Sequence, residues 1–324
     1  MWWNFVDRSG WLRIGCMLVF WWGQGAAWAV PLLNEPILPV PECRMEDGAK
    51  VRLGRQLFHE VRLSANNAMS CATCHPLDQW GMDGIPHSTR ADGTLNTMHT
   101  PTVFNAVFNL AQFWNGRVLT LEEQVDEAVR VDMGANWNEV VRKLSQEPQY
   151  REEFARVYRG GIHAENIRNA IAAFERTLTT PNSRFDRHLR GDESALSKQE
   201  KEGYQLFKTL GCISCHQGVN IGGNMFHRFG ILGGGGEEVA SEPGELDRFV
   251  VTGVAEDRHA FKVPGLRNVA RTAPYFHHGS VATLDEAVTI MARGQLGYTI
   301  TPKERTLLVS FLFTLDGETN GDCR

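Results

Sequence analysis

Two short segments each bring a pair of thiols and an imidazole into five consecutive positions: Cys71-Ala72-Thr73-Cys74-His75 and Cys212-Ile213-Ser214-Cys215-His216. At this spacing both thiols can form thioether bonds to the vinyl groups of one porphyrin, while the adjacent histidine ligates its iron. A Cys-Xaa-Xaa-Cys alone would also suit a redox dithiol or half of a zinc site. The immediate histidine and the second copy point instead to two covalently bound heme c groups, with His75 and His216 as proximal ligands.

The two sixth-ligand positions differ. Met291 follows Pro264 at the same spacing at which Ala128 follows Pro101. A thioether holds ferrous heme and raises its potential, whereas an alanine cannot bind iron. A six-coordinate His216/Met291 electron-transfer heme is therefore expected beside a first heme with an open side. Met225 competes as ligand to the second heme, core packing is the alternative for Met291, and Met133 is five positions out of register for the first. An open heme next to an electron-transfer heme suits redox chemistry on a small molecule. Near the first heme stand Trp114, Gln124 and Asp132. Trp114 is the counterpart of His277, each equally far beyond its proline, so an indole bridging the hemes stands against a large core aromatic. Asp132 can move a proton between the oxygens of a bound peroxide, or be a solvated loop carboxylate.

Positioning these groups falls to a repeated framework. Gln56-Leu57-Phe58 and Gln205-Leu206-Phe207 precede the two motifs. Pro101-Thr102-Val103-Phe104-Asn105 corresponds to Pro264-Gly265-Leu266-Arg267-Asn268, with the same distance onward to Gly116 and to Gly279. Such equal spacing implies two copies of one heme-binding unit. Thr120-Leu121-Glu122-Glu123 and Thr283-Leu284-Asp285-Glu286 each read as a capping box opening a helix. Ile167, Ile171, Phe174 and Leu178 have helical spacing over 164–178. Ser197 with Glu200 opens another helix, and Thr301-Pro302-Lys303-Glu304 opens a last one running to Leu315. No sustained alternation argues for a large sheet, so the fold class is mainly α, with two cytochrome c-like heme domains. The expected division is 30–185 for an N-terminal domain around the first heme and 195–324 for a C-terminal electron-transfer heme domain, parted in the polar stretch between Pro181 and Ser197. Gly233-Gly234-Gly235-Gly236 reads either as a close approach to a cofactor or partner or as a surface spacer.

A chain of 324 residues suffices for two cores. Its formal charge of −5 leaves no basic surplus of the kind nucleic acid binding needs. Arg8 and Arg13, the apolar stretch Trp11 to Trp22 and Ala27-Trp28-Ala29 have the form of a signal peptide over 1–29, which places the mature chain in the periplasm; retention as a membrane anchor is the alternative. Export removes Cys16 and leaves Cys43 and Cys323 for a disulfide or as two separate thiols.

With these segments together, the chain resembles the bacterial diheme cytochrome c peroxidase family, which includes the methylamine dehydrogenase maturation enzyme and its relatives. The resemblance runs from about Leu53 to Leu315. Its specific segments are Ala111-Gln112-Phe113-Trp114-Asn115-Gly116-Arg117, Leu121-Glu122-Glu123-Gln124, Lys262-Val263-Pro264-Gly265-Leu266-Arg267-Asn268-Val269 and Thr272-Ala273-Pro274-Tyr275-Phe276-His277-His278-Gly279-Ser280. It implies a low-potential peroxidatic heme on His75 and a high-potential heme on His216 and Met291. Trp114 would be the inter-heme tryptophan, Gln124 the distal-pocket glutamine, and His277 a histidine close to the second heme. Thr272 and Pro274 would give carbonyls to an inter-domain calcium. The implied reaction is reduction of hydrogen peroxide to water with electrons from a small cytochrome c or copper protein, and family members often form homodimers. Asp132 stands where typical members have the catalytic glutamate, His99 where they have a calcium-binding asparagine, and Ala91 where a loop histidine caps the resting heme. The Ala91 and Asp132 departures keep open a peroxide-dependent oxidase acting on a partner protein, which Met291 opposes. A non-enzymatic electron carrier is the third reading.

Overall fold

The computed structural model describes residues 35–42, 45–232 and 246–319 of the chain. The signal segment, Cys43, Cys323 and the Gly233–Gly236 run lie outside the described residues. The chain is mainly helical, and among the described residues no helix is long and apolar enough to cross a membrane.

The first half begins with α1 (Gly48–Phe58), whose first turn is closed by the Asp47 carboxylate accepting the Ala49 N–H at 2.9 Å. The short α2 (Cys71–Cys74) holds the first motif, and α3 (Leu121–Glu127) opens with the capping box expected at Thr120 and Glu123. A single π-helical turn, Ala128–Asp132, continues α3, with the Met133 N–H donating back to the Ala128 carbonyl at 2.9 Å. Helices α4 (Trp137–Gln146), α5 (Pro148–Val157) and α6 (Ala164–Glu175) complete this half. Helix α6 ends three residues before Leu178, ahead of a Thr-Leu-Thr-Thr-Pro stretch that disfavours helix through β-branching and proline. Leu53, Leu57, Phe58, Val125, Val129, Phe154, Ile167, Ile171 and Phe174 form the core. Truncating a buried phenylalanine such as Phe174 to alanine would cost about 3–5 kcal/mol.

The polar stretch after Pro181 contains a helix, α7 (Arg184–Leu189), capped reciprocally by Ser183 and Asp186. Its Phe185 and Leu189 are buried with the second core, alongside Tyr204, Phe207, Leu284, Ile290, Leu308 and Phe311. Helix α8 (Lys198–Thr209) starts at the predicted Ser197/Glu200 box. Strands β1 (Phe226–Arg228) and β2 (Ala260–Lys262) pair antiparallel with Phe226 opposite Lys262, and α9 (Phe249–Thr252) lies between them in sequence. Helix α10 (Leu284–Leu296) is capped by Thr283, and α11 (Pro302–Leu312) by Thr301 and Glu304, giving way to a 3-10 turn over Phe313–Leu315.

Each half rests on one close helix pair. Gly54 of α1 lies directly under the Ala170 carbonyl of α6, and Gly203 of α8 under the Leu307 carbonyl of α11. The seam between the halves is polar and specific. Asn105 and Asn268, both with φ of 61°, donate their side-chain amides to the one Thr180 hydroxyl at 2.8 and 2.9 Å. Elsewhere the Leu110 N–H donates to the Gly223 carbonyl and the Lys262 N–H to the Trp114 carbonyl, each at 2.7 Å. The N-terminal segment crosses to the second half, where Ile37 joins its core and the Val40 N–H donates to Asp186. Asp186 is fully buried, 2.8 Å from an equally buried Arg267 guanidinium that also donates to the Leu38 and Val219 carbonyls. That saturation of donors keeps a buried ion pair from being a net liability.

Candidate functional site

The first motif opens onto a cavity with about 1350 Å³ of space not filled by atoms, part of it open to solvent. Cys71, Cys74 and His75 line it together with Gln124, Ala128, Asp132 and Trp114. The expected attachment and catalytic positions of the first half, scattered along the chain, thus meet in one space. Ala128, at the position matching Met291, is part of that lining.

The residues fit a heme on three observations. Cys71 and Cys74 are free thiols on one short helix rather than a disulfide. Burial pushes the Cys71 thiol up, and that of Cys74 up to about 11, which marks both sulfurs as facing a desolvated space able to take an apolar ring. The His75 ring has its Nδ1 at 2.9 Å from the Gly81 carbonyl. A carbonyl only accepts, so the proton sits on Nδ1 and leaves the Nε2 lone pair for a metal. His216 repeats the device with Nδ1 at 3.2 Å from the Ile221 carbonyl, and burial lowers it to about 4, keeping the imidazole neutral. Burial also lowers His75.

Asp132 closes the π turn on the cavity wall. Burial raises its carboxyl above the usual range, opposed by the Arg90 and Arg117 guanidiniums. Arg90 Nε is 3.4 Å from Asp132 Oδ1 and 2.7 Å from Asn96 Oδ1, and the Ala91 N–H donates to the Asp132 carbonyl at 2.9 Å. The loop carrying Arg90 and Ala91 is thereby fastened to the acid itself. Sequence reading missed Arg90, because nothing in a charged loop marks which carboxylate it will meet.

Trp114 lies at the seam. Its indole N–H donates to the His99 carbonyl at 2.8 Å, and the His99 N–H donates to the His277 carbonyl at 2.8 Å. The indole and the His277 ring are edge to face with centroids 6.2 Å apart, and His277 stacks on Phe261 at 4.1 Å. The site thus connects the first cavity to the second half within two side chains. Met291 is half-buried on α10, whose neighbouring Ile290 and Ala287 belong to the core against which Cys212 packs. Met225 is half-buried in the loop leading into β1, and Met133 belongs to the first core. Pro274 follows a cis peptide, and Gly279 sits against Pro274 and His99. Two further buried ionisable groups, Glu175 and Lys262, line the first cavity and were not singled out for a role from sequence.

The profile of the Di-haem cytochrome c peroxidase family matches residues 48–194. "Cytochrome c551 peroxidase" of Nitrosomonas europaea is 40% identical over 296 residues, covering 90% of this chain and 87% of that protein. The chain belongs to the di-heme cytochrome c peroxidase family. "Cytochrome c peroxidase Ccp" of Escherichia coli (strain K12) is 45% identical over 289 residues, 88% of this chain, which spans 62% of the length of that relative. Among solved structures, a MauG-like protein associated with microbial copper homeostasis superposes with a TM-score of 0.76 at 28% identity, covering 89% of this chain and 95% of that one. Membership in this oxidoreductase family implies heme c as cofactor, in agreement with the two motifs and the donor geometry around them.

Proposed function

We propose that the chain is a diheme cytochrome c peroxidase that reduces hydrogen peroxide to two waters, taking up two protons and two electrons delivered singly by a small redox protein. One observation carries the reading: the cavity holding Cys71, Cys74 and His75 also holds Gln124 and Asp132, with Ala128 where a second methionine ligand would stand. When bound, the two hemes supply the iron at which peroxide is reduced and the route by which electrons reach it. His75 is oriented from below by the Gly81 carbonyl. Asp132 takes a proton from the near oxygen of peroxide and returns one to the leaving oxygen, and Gln124 orients that oxygen. Trp114 and His277 meet at the seam between the halves, and His216 and Met291 would hold the iron of the second heme, which would supply electron entry.

We read residues 30–185 and 195–324 as two copies of one unit, in the periplasm. The matched Asn105 and Asn268, the left-handed Phe113 and Phe276 with φ of 65° and 68°, and the local bridges Gln112–Val118 and Tyr275–Val281 support the repeat. Calcium enters the reading only through the Thr272 and Pro274 carbonyls. Neutral ligands give low charge and weak affinity, and the effect of chelation on activity is its test.

The test is stopped-flow spectroscopy of the oxidised and one-electron-reduced holoprotein with peroxide, followed by turnover with a reduced small cytochrome c. Rapid reaction and turnover, lost about 10²–10⁴-fold in Asp132→Asn, support the reading. A second reading, peroxide-dependent oxidation of a partner protein, is favoured by Ala91, which offers no ligand to the heme. A long-lived doubly oxidised state formed straight from the diferric protein, with negligible cytochrome turnover, would decide for it. No reaction with peroxide in either state would leave an electron carrier.

A further inference from the structure

Lys262 is the last residue of β2 in the second half, yet it lines the cavity of the first motif. It is 7% exposed, and its main-chain N–H is bonded to the Trp114 carbonyl at 2.7 Å. Burial alone lowers its ammonium to about 8, with no carboxylate among the described residues acting against it. A buried cation without a counter-charge is strongly disfavoured, and folded proteins pair such groups.

The other charged groups of the cavity are already engaged. Arg90 is held by Asp132 and Asn96. Arg117 is 3.3 Å from Glu127 and lies over the Phe113 ring at 3.4 Å. Glu175 is pushed up to about 8, first by burial, so it is largely uncharged at neutral pH. Among the described residues of this lining, Lys262 is therefore the cation that still requires an anion. In a heme c, the thioether bonds occupy the vinyl edge of the porphyrin, and the remaining edge ends in two propionate carboxylates. With the vinyl edge committed to Cys71 and Cys74, those carboxylates are the anions the cavity is due to receive.

We infer that Lys262 is the counter-charge for a propionate of the heme anchored at Cys71 and Cys74, an ion pair reaching from the second half into the heme site of the first. The inference rests on heme attachment at the first motif. It gives the lysine inside the apolar Phe261-Lys262-Val263 run a role, and it makes the seat of the first heme depend on the docking of the second half through β2 and Trp114. Removing the cation leaves the carboxylate uncompensated near the iron, which favours the ferric state.

The experiment uses the full-length holoprotein, as wild type, Lys262→Gln and Lys262→Arg. Heme stoichiometry is measured by pyridine hemochrome, both midpoints by spectroelectrochemical titration, and the propionate bending modes by resonance Raman spectroscopy. Lys262→Gln should keep two hemes, lower the midpoint of the first more than that of the second, and shift a propionate mode; Lys262→Arg should restore both. Two hemes with unchanged midpoints and unchanged propionate modes in Lys262→Gln would overturn the inference. Should neither variant fold, a structure of the wild-type holoprotein decides: Nζ within about 4 Å of a propionate oxygen supports the pairing, and Nζ turned to another group overturns it. If wild type binds one heme, and Cys71→Ala/Cys74→Ala still binds it, the attachment reading fails separately.

Discussion

Replacing Gly54 by alanine should loosen the first half and leave the second intact. A β-carbon at Gly54 would overlap the Ala170 carbonyl oxygen, approach its carbon to 2.7 Å and come within 2.9 Å of Phe174 Cβ. The oxygen belongs to the backbone of α6 and cannot rotate aside, so the helices must separate. Overpacking of a core costs about 1–3 kcal/mol, and an immovable backbone atom puts this case near 3. Alanine is about 1 kcal/mol better than glycine within a helix, which offsets part of that cost. The net loss is about 2 kcal/mol, a fall in Tm of about 4–8 °C for a unit of this size. Because α6 ends at Glu175 on the cavity wall, the displacement should also perturb the absorption of the first heme. Thermal unfolding of the holoprotein, followed at the absorption of each heme and by circular dichroism, reads both effects. Gly203→Ala is the mirror experiment, since its β-carbon would overlap the Leu307 carbonyl oxygen and come within 2.9 Å of its carbon. A Gly54→Ala protein as stable as wild type, or more stable, as helix propensity alone would have it, refutes the packing argument.

Three further outcomes are expected. Arg90→Gln removes a cation 3.4 Å from Asp132 in a pair whose side chains are 26% and 28% exposed. Such a contact is worth about 1 kcal/mol, so kcat/KM for peroxide should fall about fivefold on the acid limb and recover at higher pH; an unshifted limb in the pH profile would separate the two residues. Glu175 is raised from 4.5 to about 8 by burial, so the folded state holds a proton that the unfolded chain has released. Stability is then full below the unfolded value and is lost as pH rises towards 8, by about 1.4 kcal/mol per pH unit, and Glu175→Gln should flatten that slope in denaturant unfolding at several pH values. Met291→Ala should lower the midpoint of the second heme and abolish its thioether-to-iron absorption, with Met225→Ala leaving both in place; the reverse result would assign the ligand to Met225.

Much of the site was legible because its chemistry is local. Thioether attachment and proximal ligation need three side chains in five positions, and helix caps at Thr120, Ser197 and Thr301 need a hydroxyl and a carboxylate three residues apart; each satisfies its partners within one turn of chain. The contrast between Met291 and Ala128 was an expectation from equal spacing after Pro264 and Pro101; the structure puts Ala128 on the cavity lining and Met291 on α10. The π turn was not legible, because it leaves no signature in residue types beyond those of an ordinary helix end.

What tertiary structure alone decided are the pairings of groups far apart in the chain. Arg90 meets Asp132 from a separate loop, Asn105 and Asn268 meet on Thr180, and Lys262 reaches the cavity of Cys71 from the other half. Gly54 looks, in sequence, like a weak point of a helix, and becomes a requirement only when α6 is laid across it. A residue type states what it can bond, and local spacing states what it meets within a few turns. Which distant partner it meets depends on how the helices pack, because close packing and the need to satisfy every buried polar group are conditions on the whole fold.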